Sequence, residues 1–356
     1  MGLNVLVGTK KGLFVLEGDA ERREWTLNGP HLTGFSVYHA IRDPRDGSLY
    51  AATNFFDGGT VHRSSDNGET WERAEELGLP EGGELKLNAT WHVEPGGNGE
   101  LWLGGDPGVL FRSDDKGATW QPNEGILHHE TREQWAPGAG GMCLHSIATW
   151  PGDPSRLALA ISAVGVWLSD DGGQTWRHGN KGLVPRYIPE EAREETIALC
   201  VHNMHRAPSQ PERIFMQFHG GVYRSDDAGE SWIDIGADTG LPSDFGFPLV
   251  IDPGDPDSAY VIPLVADLDR VTPDGRVRVY ETRDAGASWT ARGDGLPAED
   301  AYLTILRQAF GREGSGERMG LYFGATSGDV FGSNDAGATW FTAASKLPPV
   351  HSVRVA

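Results

Sequence analysis

Ser64-Ser65-Asp66-Asn67-Gly68-Glu69-Thr70-Trp71 is one copy of a pattern, Ser/Thr-x-Asp-x-Gly-x-Ser/Thr-Trp, that this chain carries six times. The other copies begin at Ser113, Ser169, Ser225, Thr282 and Ser333, so neighbours are 49 to 57 residues apart. A period near fifty residues is the mark of a repeat architecture. The residue types explain themselves. Asp bonds its own downstream backbone, Gly takes the positive φ of a tight turn, and Trp packs a large ring between sheets. The pattern opens with acids but lacks the ligand spacing and the closing bidentate acid of a calcium loop.

Working outward, each copy follows an apolar strand such as Gly221-Val222-Tyr223-Arg224. Further upstream lie alternating apolar strands, Leu157-Ala158-Leu159-Ala160-Ile161 or Tyr38-His39-Ala40-Ile41. Four strands per repeat is the composition of a propeller blade. A seventh, degenerate unit runs from Gly12 to Trp25 without the Ser-x-Asp. The first repeat starts at Asn4-Val5-Leu6-Val7-Gly8 and lacks an innermost strand, whereas Val350–Val355 is a surplus strand after the last copy. These readings predict an all-β, seven-bladed propeller. One domain takes up residues 1–356, and the C-terminal strand completes the N-terminal blade.

The pattern resembles the Asp-box, or BNR, repeat of sialidase-like β-propellers, and the resemblance covers nearly the whole chain. It implies that each box joins the third and fourth strands of a blade and faces away from the ligand-binding side. The catalytic signature of the sialidases is absent. Their early Phe/Tyr-Arg-Ile-Pro motif is missing: Ile41-Arg42-Asp43-Pro44 is a poor echo, and Arg186-Tyr187-Ile188-Pro189 lies mid-chain. No sialidase catalytic residue is therefore carried over. Carbohydrate chemistry with two carboxylates stays open, with Glu94, Asp106, Glu130, Glu133, Asp267 and Asp269 eligible.

Composition excludes several classes. The chain has 30 Lys and Arg against 51 Asp and Glu, a formal charge of −21. Such a surface repels phosphate backbones, so no nucleic-acid partner is expected. No apolar run reaches membrane-spanning length, and the N-terminus has no signal-peptide pattern. With two Cys there is no disulfide framework. The expectation is a cytoplasmic protein.

Two long segments are expected to rise on the face opposite the boxes. Residues 121–144 carry His128, His129, Arg132 and Trp135, and residues 177–200 carry Arg186, Tyr187 and the acidic, helix-like run Pro189 to Glu195. The loop 263–277 adds Asp267, Asp269 and Arg270. Long loops on a rigid scaffold are where binding concentrates. The inner strands, aligned as His39-Ala-Ile, His145-Ser-Ile, His202-Asn-Met and His351-Ser-Val, predict a ring of imidazoles at the channel mouth. In this alignment His92 falls two residues further along, and Phe247 and Leu303 take the position in blades six and seven.

Cys143 and Cys200 stand two residues before His145 and His202, and i and i+2 share a face on a strand. The four make a candidate set for a divalent transition metal. His39, His145, His202, Asp106 and Arg132 are the candidate catalytic groups. Lys10, Asn54, Trp135, His219, Arg270 and His351 are the candidate ligand-binding groups, with Ser162 equivalent to Asn54 and His219. The expected ligand is a sugar or another polar small molecule. The alternative is a non-catalytic propeller that docks a protein partner.

Overall fold

The structure is a computed structural model that describes residues 2–79, 85–193, 197–266 and 268–356. Glu194, Glu195 and Asp267 lie outside the described residues. Within the described residues, seven antiparallel sheets succeed one another along the chain. Blade 2 is Ser36–Arg42, Leu49–Phe55, Gly58–Ser64 and Glu72–Arg73, and blades 3 to 7 repeat the plan with inner strands Ala89–Pro95, Leu144–Trp150, Val201–Arg206, Gly246–Ile251 and Phe310–Glu313. Blade 3 adds a two-residue strand, Glu76–Leu77, parallel to its outer strand Thr119–Pro122. Among the described residues no helix is long and apolar enough to cross a membrane.

Blade 1 is made from both ends of the chain. Val350–Val355 is its inner strand and runs antiparallel to Leu3–Thr9, pairing Val5 with Val355 and Val7 with Val353. The reason is burial. Val5, Val7, Val350 and Val353 are fully buried in one cluster with blade 7, so the terminal strand is held by apolar packing as well as by its ladder.

The boxes are self-contained hydrogen-bond units. Ser64 Oγ accepts the Gly68 amide at 2.8 Å and donates to Asp66 Oδ1 at 2.7 Å. Asp66 accepts the amide of Thr70 at 2.9 Å and its hydroxyl at 2.5 Å. Gly68 sits at φ 93°, preceded by Asn67 at φ 60°. The box tryptophans donate in two ways: Trp71, Trp120 and Trp340 to the glycine carbonyl of their own box, and Trp232 Nε1 to Gly179 O and Trp289 Nε1 to Ile235 O, both in the preceding repeat. Arg42 pairs across Leu49 with Ser64, the first residue of a box, so the inner strands end on the box face.

The opposite ends carry a recurring irregularity. The inner-strand ladders skip Tyr38, Trp91, His145, His202 and His351, and the stretch Phe247-Pro248. A β-bulge inserts one residue and shifts the register of the residues beyond it. This corrects the alignment of the histidines. His145, His202 and His351 are equivalent to Tyr38 and Trp91, not to His39. His39 is equivalent to His92, and the two rings stack at 4.1 Å. Leu303 is not in blade 7's inner strand, which begins at Phe310. The described part of the run from Pro189 also departs from expectation: Glu190–Ala192 forms a single 3-10 turn.

Candidate functional site

The bulged histidines point sideways, into the seams between blades. His145 Nε2 lies 2.9 Å from Val201 O and its Nδ1 lies 2.9 Å from Ser146 Oγ, so both nitrogens are spent. His202 Nδ1 lies 2.6 Å from Gly246 O. His39 Nε2 accepts from Arg354 Nε at 3.0 Å. His39, His145 and His202 are buried. Burial first, and then neighbouring charges, hold all three far below the usual imidazole range, so they are neutral near pH 7. His351 is pulled down to about 4, by burial and then by the charge of Lys10, and its ring meets Tyr38 edge-on at 5.1 Å.

The four histidines therefore do not converge: the bulges turn His145 and His202 toward the backbone of the next blade and set His351 against the Tyr38 ring. What gathers instead is Cys200, His202 and His219, with one ligand atom from each lying within 4.8 Å of the others. The elements that hold them are clear. Cys200 and His219 are joined by the His219 amide donating to Cys200 O. The Tyr187 hydroxyl accepts the Cys200 amide at 2.7 Å and donates to Ala198 O at 2.9 Å, so Tyr187 fixes the backbone at Cys200. The bond from His202 Nδ1–H to Gly246 O leaves Nε2 as the nitrogen turned to the trio.

His145 and Cys143 stand outside this trio. Cys143 Sγ is 2.9 Å from Arg307 Nη1, and that nitrogen is 3.3 Å from Ser162 Oγ. Sequence reasoning missed Arg307, whose guanidinium also lies over the Trp91 ring at 5.1 Å. Asp106 is on the same mouth, held by Asn88 at 3.5 Å, with its carboxyl pushed up by burial.

Other candidates are structurally committed. Arg132 donates to Gly108 O at 2.8 Å and Pro107 O at 2.6 Å, and it covers the Trp135 ring. Trp135 is buried against Trp167 at 4.9 Å. Asn54 clasps the next blade, accepting the Thr90 amide at 2.8 Å and donating to Thr90 O at 3.0 Å. Lys10 is exposed at the turn after Leu3–Thr9. Arg270 lies over Phe247 at 5.4 Å.

A cavity of about 550 Å³ lies at the other end of the channel. It opens between the ends of the inner strands, on the box face. Its walls include His92, Glu94, Asn203, His205, Arg206, Arg312 and Arg354. From sequence, the candidate catalytic and ligand-binding groups are expected on the opposite face, and none of these arginines is among them.

The signature of the BNR/Asp-box repeat matches residues 167–178, which span the third box. The chain is an Asp-box β-propeller. Among curated proteins, this propeller is 25% identical over 301 residues to a xyloglucanase of Paenibacillus sp., a match covering 77% of the propeller and 28% of that enzyme. The propeller thus spans less than a third of this relative's length. A xyloglucanase of Xanthomonas campestris has the same fold, with TM-score 0.63 at 18% identity over 99% of the propeller and 52% of that chain. A YCF48 structure with a bound D1 peptide superposes with TM-score 0.50 at 13% identity, over 85% and 83% of the two chains.

Proposed function

We propose that this propeller binds a polar, carbohydrate-class ligand at the channel mouth opposite the boxes, with a soft divalent metal ion held by Cys200, His202 and His219. The observation that carries the reading is the convergence of those three ligand atoms within 4.8 Å, with His202 oriented by Gly246 O. One thiolate and two imidazoles suit zinc-class cations, and three protein ligands leave a coordination position for a substrate oxygen. When bound, such an ion supplies Lewis-acid polarisation of that oxygen. Tyr187 keeps the thiol in place, Arg307 offers a positive charge beside it, and Asp106, with its raised carboxyl, is the proton donor this reading assigns. The carbohydrate class is supported by the xyloglucanase relatives. Two free thiols fit a reducing, cytoplasmic compartment.

The test is metal analysis of protein purified without a histidine tag, followed by titration with xyloglucan oligosaccharides. One equivalent of metal is expected, lost in Cys200→Ser and His202→Gln while the fold persists. Protein that takes up no zinc, cobalt or copper on dialysis overturns the metal.

A second reading, a protein-docking platform, is favoured by apolar side chains on that same face. Phe56 is 97% exposed and Leu268 90% exposed, both on loops joining second and third strands. The YCF48 propeller with its bound peptide supports this reading at the level of the fold.

A further inference from the structure

The box-face cavity lies beyond that reading, at the opposite end of the channel and in a separate set of side chains. Its character is unexpected in a chain of net charge −21. Arg42, Arg45, Arg206, Arg312 and Arg354 line it, against a single carboxylate, Glu94. Arg42, Arg206 and Arg312 are on one rung, each aligned across the second strand with the first serine of a box, Ser64, Ser225 and Ser333. The fold therefore delivers guanidinium groups from three blades to one ring.

Two of the five sit at the rim with partners of their own. Arg45 pairs with Asp43 at 2.6 Å, and Arg42 donates to Gly47 O and to Asn67. The inner three are not ion-paired. Arg354 donates to His39, to Gln308 and to three backbone carbonyls. Arg206 bonds Pro211 O and rests over Trp150, while its buried Nε has no partner. Arg312 makes no hydrogen bond or ion pair within the described residues. Asp252 is near enough to feel Arg312, but its oxygens accept the Gly254 and Gly316 amides. Two more buried nitrogens at this cavity are unpartnered, His92 Nδ1 and His205 Nε2. Glu94 is engaged by His92 Nε2 at 3.2 Å.

Burying charge without a counter-charge is costly, and burying donors without acceptors adds to the cost. An anion relieves both at once. We propose that the box-face end of the channel is a binding site for a small polyanion, a phosphate ester or a polycarboxylate, held by Arg206, Arg312 and Arg354 with His92 and His205. The planar guanidinium fork matches both oxyanions bidentately. The volume accommodates a molecule of sugar-phosphate or tricarboxylate size, and Ile147, Met204 and Phe310 supply apolar wall for its carbon frame. The acidic exterior excludes polyanions elsewhere, so the cavity is a local reversal of the molecule's field.

The experiment is calorimetric titration of the whole chain at low ionic strength with inorganic phosphate, glucose 6-phosphate and citrate. Saturable one-to-one binding in about the micromolar to millimolar range is expected for at least one of them. Glucose 6-phosphate alone assigns phosphate esters, and citrate alone assigns polycarboxylates. Arg312→Gln should weaken that binding about tenfold or more, as loss of a charge-assisted bond does. Because Arg312 has no partner to lose, the variant should melt no lower than the parent in the absence of anion. Arg177→Gln, on the exposed surface beside Asp170 and Glu230, removes the same charge and should leave binding intact. No saturable binding of any probe overturns the site. So does weakening of equal size in the two variants, which reports general charge and not this cavity.

Discussion

The box aspartates show how much of this molecule is decided by single side chains. Asp66 is held at about 2, first by the Thr70 hydroxyl and then by the Thr70 amide and Ser64. At Asp171 slight burial pulls the carboxyl up, but bonds from Thr175, Ser169 and Gln174 outweigh it and hold it at about 2. A carboxylate whose folded pKa lies below its unfolded value of about 4 contributes stability that is complete above pH 4 and lost as the pH falls toward 2. Urea midpoints should therefore fall in two stages as the pH drops: first below about pH 6.5, where the unfolded chain takes up protons that the buried imidazoles of His39, His145 and His202 refuse, and again between about pH 4 and 2 as the box carboxylates protonate. Asp171→Asn should flatten the second fall. These turns were legible in sequence because every donor and acceptor lies within eight residues. His145 was not, because its imidazole answers to Val201 O, a blade away.

At the level of the element, the box tryptophan is a bolt between neighbouring blades. Trp120 is 1% exposed and Trp232 4%. Trp120→Ala or Trp232→Ala should cost about 3–5 kcal/mol in denaturant unfolding, as large-to-small core changes do. Anion binding by the folded fraction should be unchanged, since neither ring lines the cavity. A box variant that folds normally but no longer binds would show that the boxes belong to the site. The strands and their order were legible from period and alternation. The bulges were not, because nothing in Tyr38 or Trp91 as residue types marks an inserted position; the insertion appears only when two strands are laid side by side. The arginine ring carried a readable signal, Arg42, Arg206 and Arg312 each in one of the last two positions of an inner strand, but it is visible only after the strands are in register.

For the whole molecule, closure is the shared liability. Deleting residues 349–356 removes the inner strand of blade 1, bares the edge of Leu3–Thr9 and opens the apolar cluster with blade 7. The truncated chain should lose its cooperative melt and associate, which calorimetry and light scattering would record. A truncated chain that melts like the parent would mean that closure contributes little. The deficit of one strand at the start and the surplus at the end made this arrangement readable without coordinates.

That closure also sets a timetable. During synthesis Leu3–Thr9 leaves the ribosome well before its partner Val350–Val355. At about 5–20 residues per second the interval is on the order of twenty seconds to a minute. Throughout it the first blade presents an unfinished β-edge, and the ring cannot shut until Val350–Val355 has emerged. The nascent chain, more than the mature one, is the species that needs protection from its neighbours.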